Sequence, residues 1–170
     1  VLFRSLGLTL APITDHTRRV FRDTMPTFFS CSNPFDLTGN GSHKDYFDVV
    51  ELCLADDTVD IVVILVLPAI PYFVDAEFTK LFAKYDFKGA NPPSKPMFCT
   101  IFGALEPDMR ALAGPLEQQG MPVYHDEEEM MKAVQVHAEY TDFLAYEQQI
   151  VERGDTPTTP SLTLTLAPFV

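Results

Sequence analysis

The stretch Asp60-Ile-Val-Val-Ile-Leu-Val-Leu67 decides the fold that we predict for this chain. Seven of its eight residues are apolar, without alternation. This pattern is typical of a strand buried on both faces of a parallel sheet. A polar loop, Asn33-Pro-Phe-Asp-Leu-Thr-Gly39, and a helical segment precede the strand. Ligands of open α/β sheets lie at the carboxyl ends of the strands, so we expect the loop at that edge.

Composition limits the classes of partner that the chain can have. The 170 residues suffice for one domain, and 46% of them are hydrophobic. The sequence contains no run of 18 apolar residues, which is the length needed to cross a membrane. With 12 Lys and Arg against 24 Asp and Glu, the net charge of −12 argues against nucleic acid and against anionic membrane surfaces. Cys31, Cys53 and Cys99 have neither metal-site nor disulfide spacing, which predicts a reduced, cytoplasmic protein.

Helix and strand signals alternate along the chain. We predict strands at Leu8–Leu10, 60–67, Pro96–Phe102 and Gly120–Tyr124. We predict helices from a cap at Thr14 or Asp15 to Thr24, from Ser42 to Ala55 with Asp45 completing a capping box, from a cap at Asp75 to Tyr85, over 107–119, and from a cap at Asp126 to Arg153. The alternation predicts an α/β, doubly wound, flavodoxin-like three-layer fold with a mostly parallel sheet.

Three smaller features complete this prediction. Val1 to Gly7 is interpreted as the end of a helix, with Gly7 just past its last turn. Pro115 lies inside the helix over 107–119 and predicts a kink or break between Ala111 and Gly114. We take 1–153 as the domain, and 154–170, rich in Thr and Pro, as a linker or tail in which a strand is also possible.

Residues Leu6 to about Tyr140 resemble a known family. The matching pieces, in order, are Gly7-Leu-Thr-Leu10, Thr14 to Met25, Asn33-Pro-Phe-Asp-Leu37, Val59 to Pro68, Lys95-Pro-Met-Phe-Cys-Thr100 with Gly103, and Gly120-Met-Pro-Val-Tyr124. They resemble the last CoA-ligase domain of NDP-forming acyl-CoA synthetases. These are the ADP-forming acetate–CoA ligases, which are related to succinyl-CoA synthetase.

The resemblance implies an enzyme that joins an acid to CoA while NTP becomes NDP and phosphate. A phosphohistidine on another flavodoxin-like domain would carry the phosphoryl group between an acyl phosphate site and an ATP-grasp domain. CoA and ATP or ADP with Mg would be bound mainly by those domains, so no cofactor is expected in this chain. The fragment alone is expected to be inactive.

Two departures from the family pattern stand out. The family's domain begins with a strand and a Gly-rich turn, and residues 1–7 contain neither. We interpret this as N-terminal truncation, which would leave a gap beside the strand 60–67 and destabilise or rearrange the fragment. The family's glycine pair after the next strand is Gly103-Ala104 here, which is tolerable only if φ of Ala104 is negative.

The candidate site consists of residues expected to face the acyl phosphate and the phosphohistidine. They are Asn33, Asp36, Thr38, Gly39, Pro68, Ala69, Ile70 and Gly103. Asn33 and Asp36 can order the loop through bonds to its backbone, but the same residues also suit an ordinary Asx turn before a helix. Pro68 has no N–H to donate, which weakens a substrate-binding turn at 68–70.

No catalytic residue and no metal site are predicted in this chain. The histidines, His16, His43, His125 and His137, lie outside any Gly-His-rich loop, and only His125 follows a strand end. A solvated loop histidine is the favoured interpretation of His125. Glu127 to Glu129 fan around a helix start, where acids complement the dipole. The cysteines are interpreted as small buried hydrophobic residues.

Two other functions stay open. A non-catalytic module of this kind could sense CoA or acyl-CoA and regulate an attached domain, such as a protein acetyltransferase. A free-standing flavodoxin-like interaction domain is also compatible with the sequence. Neighbouring sequence distinguishes them, because only the enzyme needs both a phosphorylatable histidine loop and an intact ATP-grasp domain.

Overall fold

The computed structural model describes residues 2–68, 70–103 and 106–153. The helices are α1 (Leu2–Ser5), α2 (Asp15–Thr24), α3 (His43–Ala55), α4 (Asp75–Phe82), α5 (Glu106–Gln119) and α6 (Glu127–Glu152), with a 3-10 turn at Thr38–Asn40. The strands are β1 (Val62–Val66), β2 (Met97–Ile101) and β3 (Val123–Tyr124). The chain divides into two compact units, 1–135 and 136–170. The described part of the second unit is residues 136–153.

The sheet of the first unit is parallel, which confirms the predicted α/β class. Its order is β1-β2-β3. Val62 of β1 pairs with Met97, and Cys99 of β2 pairs with Val123. In the described sheet β1 is therefore an edge strand, on the side where the sequence predicted a gap.

The main core lies on one face of the sheet. Ile64 and Val66 of β1 pack there with Ile101 of β2, against residues of α3, α4 and α5 that include Val50, Phe78, Phe82, Leu112 and Leu116. The Phe78 and Phe82 rings lie 4.8 Å apart between centroids. Removing this apolar surface from water supplies the main driving force for the fold.

The other face of the sheet is only partly covered, which corrects the prediction that 60–67 is buried on both faces. Phe98 of β2 packs against Met130 and Val134 of α6, and this contact supplies the third layer. Val63 and Leu65, which point to the same face from β1, are 36% and 46% exposed. The α6 residues cover β2 instead. The apolar side chains of β1 on this face are therefore less buried than the composition of the strand predicted.

The predicted strand Leu8–Leu10 is not a strand in the structure. The Leu8 N–H donates to the Phe3 carbonyl at 2.9 Å, and the Gly7 N–H donates to Arg4 at 3.2 Å. These two bonds, with Gly7 at φ +75°, close α1 as the sequence predicted. The apolar residues after Gly7 pair with no neighbouring strand in the described sheet.

Most helix starts are confirmed. Thr14 caps α2, Ser42 and Asp45 form the capping box of α3, and the Glu129 N–H donates to Asp126 at 2.9 Å at the start of α6. Asp75 is not a cap, because Val74 occupies that position and Asp75 is the first residue of α4. That helix ends at Phe82 rather than near Tyr85.

The break predicted between Ala111 and Gly114 is wrong, whereas the kink predicted there as the alternative stays a prediction. Helix α5 runs without interruption from Glu106 to Gln119. The side chains of Leu112, Ala113 and Leu116 are buried in the core on both sides of the proline. Tertiary packing therefore holds the helix through the missing hydrogen bond. Predictions for Ala69, Ala104 and the tail 154–170 fall outside the described residues.

Candidate functional site

The first turn of α3 lies at the carboxyl end of β1. Tyr46, in that turn, lies close to the backbone of Leu67, which directly follows β1. Its ring meets the ring of Phe73 edge to face, with 5.4 Å between centroids. The residues that lead into α3 therefore reach the edge of the sheet where ligands of this fold class bind.

The junction between the loop and α3 is tightly packed. A β-carbon on Gly41 would lie 2.8 Å from Leu37 Cβ and 3.3 Å from Tyr46 Cε2, so only glycine fits. Next to it, the Ser42 N–H donates to Asp45 Oδ2 at 2.8 Å, and the Asp45 N–H donates to Ser42 Oγ at 3.2 Å. The capping box fixes the direction in which the chain enters the helix.

Asp36 and Thr38 form an Asx turn inside the loop. The Thr38 N–H donates to Asp36 Oδ1 at 2.8 Å, and the Asp36 backbone pairs with Ser30 through bonds of 2.9 and 3.2 Å. Thr38 has φ of +53°, a left-handed conformation that is costly for a β-branched residue. Thr38 and Gly39 are exposed. The loop thus presents polar groups to solvent in a fixed, strained geometry.

Asn33 serves a different contact. Its side-chain amide donates to the Ala11 carbonyl at 3.0 Å. Ala11 belongs to the segment that leads into α2. The bond therefore ties the start of the loop to that segment. It is not the Asx turn considered for this residue, and a role of Asn33 at the binding face stays a prediction.

Pro68, Ile70 and Gly103 follow the ends of β1 and β2. Pro68 is buried, and the Ile70 carbonyl accepts from the Phe73 N–H at 3.1 Å. Gly103 has φ of +75°, and a β-carbon there would lie 2.4 Å from Leu67 Cδ1. Leu67 thus lies over Gly103, and its backbone lies close to Tyr46 at the start of α3.

This edge of the sheet is acidic. Burial raises the pKa of Tyr46, the nearby backbone of Leu67 opposes that effect, and the Asp36 charge adds to it. Burial also raises the pKa of Asp75, and Asp108 of α5 contributes. Acids at the starts of α3, α4 and α6 occupy helix ends that otherwise attract phosphate. Among the described residues, no group of three or more His, Cys, Asp or Glu could hold a metal ion.

The remaining nucleophile candidates are poorly suited to catalysis. Burial is the main cause that raises the pKa of Cys53 to about 11, and it raises that of Cys99 to about 12, so both thiols stay protonated near neutral pH. His125 is exposed and borders an open depression of about 350 Å³ with Met109, Arg110 and Glu117. These residues give His125 no nucleophile and no metal ligand set to act with.

The sequence did not reveal a network that supports α2. Asp56, 2% exposed, accepts from Thr14 N–H at 2.8 Å and from Thr58 N–H at 3.0 Å. Burial would raise the pKa of Asp56, but hydrogen bonds from Thr17, Thr58 and Thr14 outweigh it and hold the pKa well below its usual range. Thr14 and Asp56 are 42 residues apart in the sequence, so no local pattern could indicate that they form a pair.

Arg18 holds a second strained segment, which sequence reasoning also missed. Its Nη2 donates to the Pro12 carbonyl at 2.8 Å, and its Nε donates to the Ile13 carbonyl at 3.1 Å. Ile13 is buried with φ of +26°, a conformation that β-branched residues rarely adopt. The guanidinium therefore fixes the entry into α2, to which Asn33 is also tied through Ala11.

Comparison with solved structures shows the same fold in parts of two larger proteins. The chain superposes on the dinucleotide forming acetyl-coenzyme A synthetase 1 of Ca. Korarchaeum cryptofilum with a TM-score of 0.69 and 20% identity. That match covers 87% of this chain and 31% of the synthetase chain. PH0766 from Pyrococcus horikoshii OT3 gives a TM-score of 0.67 and 22% identity, over 79% of this chain and 30% of its own.

The sequence itself matches no protein-family model and no curated protein. None of the described helices is both long and apolar enough to span a bilayer. The chain spans less than a third of the length of the two solved structures. At these identities the likeness establishes the fold, and the chain is therefore an α/β unit with the architecture of one part of those larger proteins.

Proposed function

We propose that this chain is the CoA-ligase domain of an NDP-forming acyl-CoA synthetase. The ordered motifs from Gly7-Leu-Thr-Leu10 to Gly120-Met-Pro-Val-Tyr124 support the proposal. So does the fold that 87% of the chain shares with an acetyl-coenzyme A synthetase. The observation that carries it is the packing of Tyr46 against Gly41 and against the Phe73 ring, because it holds the start of α3 at the carboxyl end of β1.

In this proposal the chain contributes a rigid binding face and no nucleophile. The Asx turn of Asp36 and Thr38 and the close packing at Gly41 fix the loop before any ligand arrives. A fixed loop orients a reacting group at little further entropic cost. The loop would face the acyl phosphate and the phosphohistidine of another domain, in the same or a partner chain.

In this proposal CoA and the nucleotide with Mg are bound mainly by other domains. The described residues contain no group of three or more His, Cys, Asp or Glu that could hold a metal ion. We therefore assign these groups to the CoA-binding and ATP-grasp domains of a cytoplasmic enzyme, and we derive no step through them here.

The test uses the longest natural polypeptide that contains these 170 residues, with its partner chain if one exists. The measurement is acid- and CoA-dependent release of NDP from NTP. We expect activity in the complete protein, and none in this chain alone. Gly41→Ala should lower kcat/KM about tenfold or more, because a displaced loop misaligns the reacting groups.

Asp48→Asn is the matched control. Asp48 lies on α3 and pairs with Lys44 on the exposed side of the helix, so its replacement should leave kcat/KM within about twofold. If the complete protein folds but does not release NDP in the presence of the acid, the proposal that it is an enzyme is wrong. If such a protein still binds acyl-CoA, the result favours the alternative function, a regulatory module that senses acyl-CoA.

A further inference from the structure

The second half of α6 carries an apolar stripe. Its members recur at spacings of three and four residues, and they are Val136, Tyr140, Phe143, Leu144, Ile150 and Val151. At about 100° per residue they fall within an arc of roughly 120°. At 1.5 Å per residue the stripe is about 22 Å long, which is about four turns of helix.

Four of the six side chains of this stripe are exposed, and Phe143 and Ile150 are half-buried. Val136, Tyr140 and Val151 are 64%, 57% and 61% exposed, and Leu144 is 41% exposed. In the first unit, by contrast, Met130 and Val134 of the same helix are buried against Phe98. Exposed apolar side chains grouped on one face of a helix are typical of an interaction site.

The charges around the stripe have one sign. The sequence contains neither Lys nor Arg between Lys132 and Arg153, whereas Glu139, Asp142, Glu147 and Glu152 all lie in that interval. By helical spacing, Glu147 falls in the middle of the apolar arc, between Tyr140 and Ile150. A partner therefore has to place positive charge along the stripe, including one group opposite Glu147.

This pattern disfavours a second copy of the chain as the occupant. In a parallel pair of α6 helices, Glu147 would meet Glu147 at the centre of the contact. In an antiparallel pair, acidic flanks would still meet acidic flanks, because the interval offers no cation. Like charges beside a helix seam are destabilising.

We propose that residues 136–151 dock an amphipathic helix of another protein or domain, whose apolar face is flanked by Lys or Arg. The partner's apolar side chains would cover Tyr140 and Leu144, and one of its cations would pair with Glu147. Charge complementarity would give such a contact its specificity and its dependence on salt. This inference does not depend on the proposed enzyme activity.

The test uses the full 170-residue chain and two labelled helical peptides of about three heptads. Both peptides have the same Leu and Ile seam, with Lys flanks in one and Glu flanks in the other. Fluorescence anisotropy should show at least tenfold tighter binding of the Lys peptide, and the difference should shrink at high salt. Glu147→Lys should weaken binding of the Lys peptide about tenfold.

Tyr140→Glu and Gln149→Glu form a matched pair of variants. Both add one negative charge to an exposed position of α6, but only Tyr140 belongs to the stripe. Tyr140→Glu should abolish binding, and Gln149→Glu should leave it intact or slightly stronger, with unchanged helix content in both. Equal binding of the two peptides, absence of binding, or self-association that Tyr140→Glu removes would each overturn the proposal.

Discussion

Gly103 and Gly39 differ in whether the structure around them could accept a side chain. Gly103 has φ of +75°, and a β-carbon there would clash with Leu67 Cδ1, whereas a β-carbon on Gly39 would have no atom within 4 Å. We expect Gly103→Ala to lower the free energy of unfolding by about 1–3 kcal/mol, through left-handed strain and the clash. Gly39→Ala should change it by less than about 1 kcal/mol. Denaturant unfolding measures both, and equal effects would contradict the geometry described for Gly103.

Asp56 should make the free energy of unfolding depend on pH in the acidic range. Its folded pKa lies below its unfolded value of about 3.9, so its contribution is fully present above that value. The contribution is lost as the pH falls through the unfolded and then the folded pKa. Asp56→Asn should cost about 2–4 kcal/mol at pH 7, because buried donors such as Thr14 N–H lose their acceptor.

The control for that variant is Asp57→Asn, one residue further along and exposed. It should change the free energy of unfolding by less than about 0.5 kcal/mol. Unfolding curves between pH 7 and pH 2.5 should show the difference between the original chain and Asp56→Asn shrinking with acid. A difference that stays constant over this range would contradict the role given to the Asp56 carboxylate.

Single-residue features were predictable where the partners are close in sequence. The capping box of Ser42 and Asp45 and the helix end at Gly7 depend on residues three or four positions away. Asn33 binds Ala11 and Asp56 binds Thr14, over 22 and 42 residues. Those contacts depend on how the helices pack, which local sequence does not specify.

At the scale of elements, α5 contains a proline whose cost can be measured. Pro115 removes one backbone donor in the middle of the helix Glu106–Gln119, yet the helix continues. We expect Pro115→Ala to raise the free energy of unfolding by about 1–3 kcal/mol, since the side chain is exposed and the helix regains its bond. Pro107→Ala, in the first turn, should have little effect. A loss of stability in Pro115→Ala would show that the proline fits a bend.

Helices and buried strands were predicted well because their apolar periods are strong. The strand at Leu8–Leu10 failed because three apolar or β-branched residues form a strand only beside another strand. The prediction that β1 is buried on both faces was wrong for a related reason. Val63 and Leu65 have the composition of an interior strand, but composition does not say which neighbouring elements are there to cover them.

At the scale of the whole molecule, the sequence predicted the parallel sheet and the layers of helices. The candidate site was predictable only in part. The turn after β1 and the loop before α3 were singled out by their residue types, but Tyr46, which packs against Phe73 and close to Gly41, was not. These contacts form only once β1 and α3 have packed together.

The most direct test of the account is phosphoryl transfer in the complete protein that contains these residues. With γ-labelled NTP, we predict base-stable, acid-labile label on a histidine that lies outside this chain. The label should be lost when the acid and CoA are added together. A well-folded complete protein that takes no label on histidine, or that takes it on His125, would contradict the account.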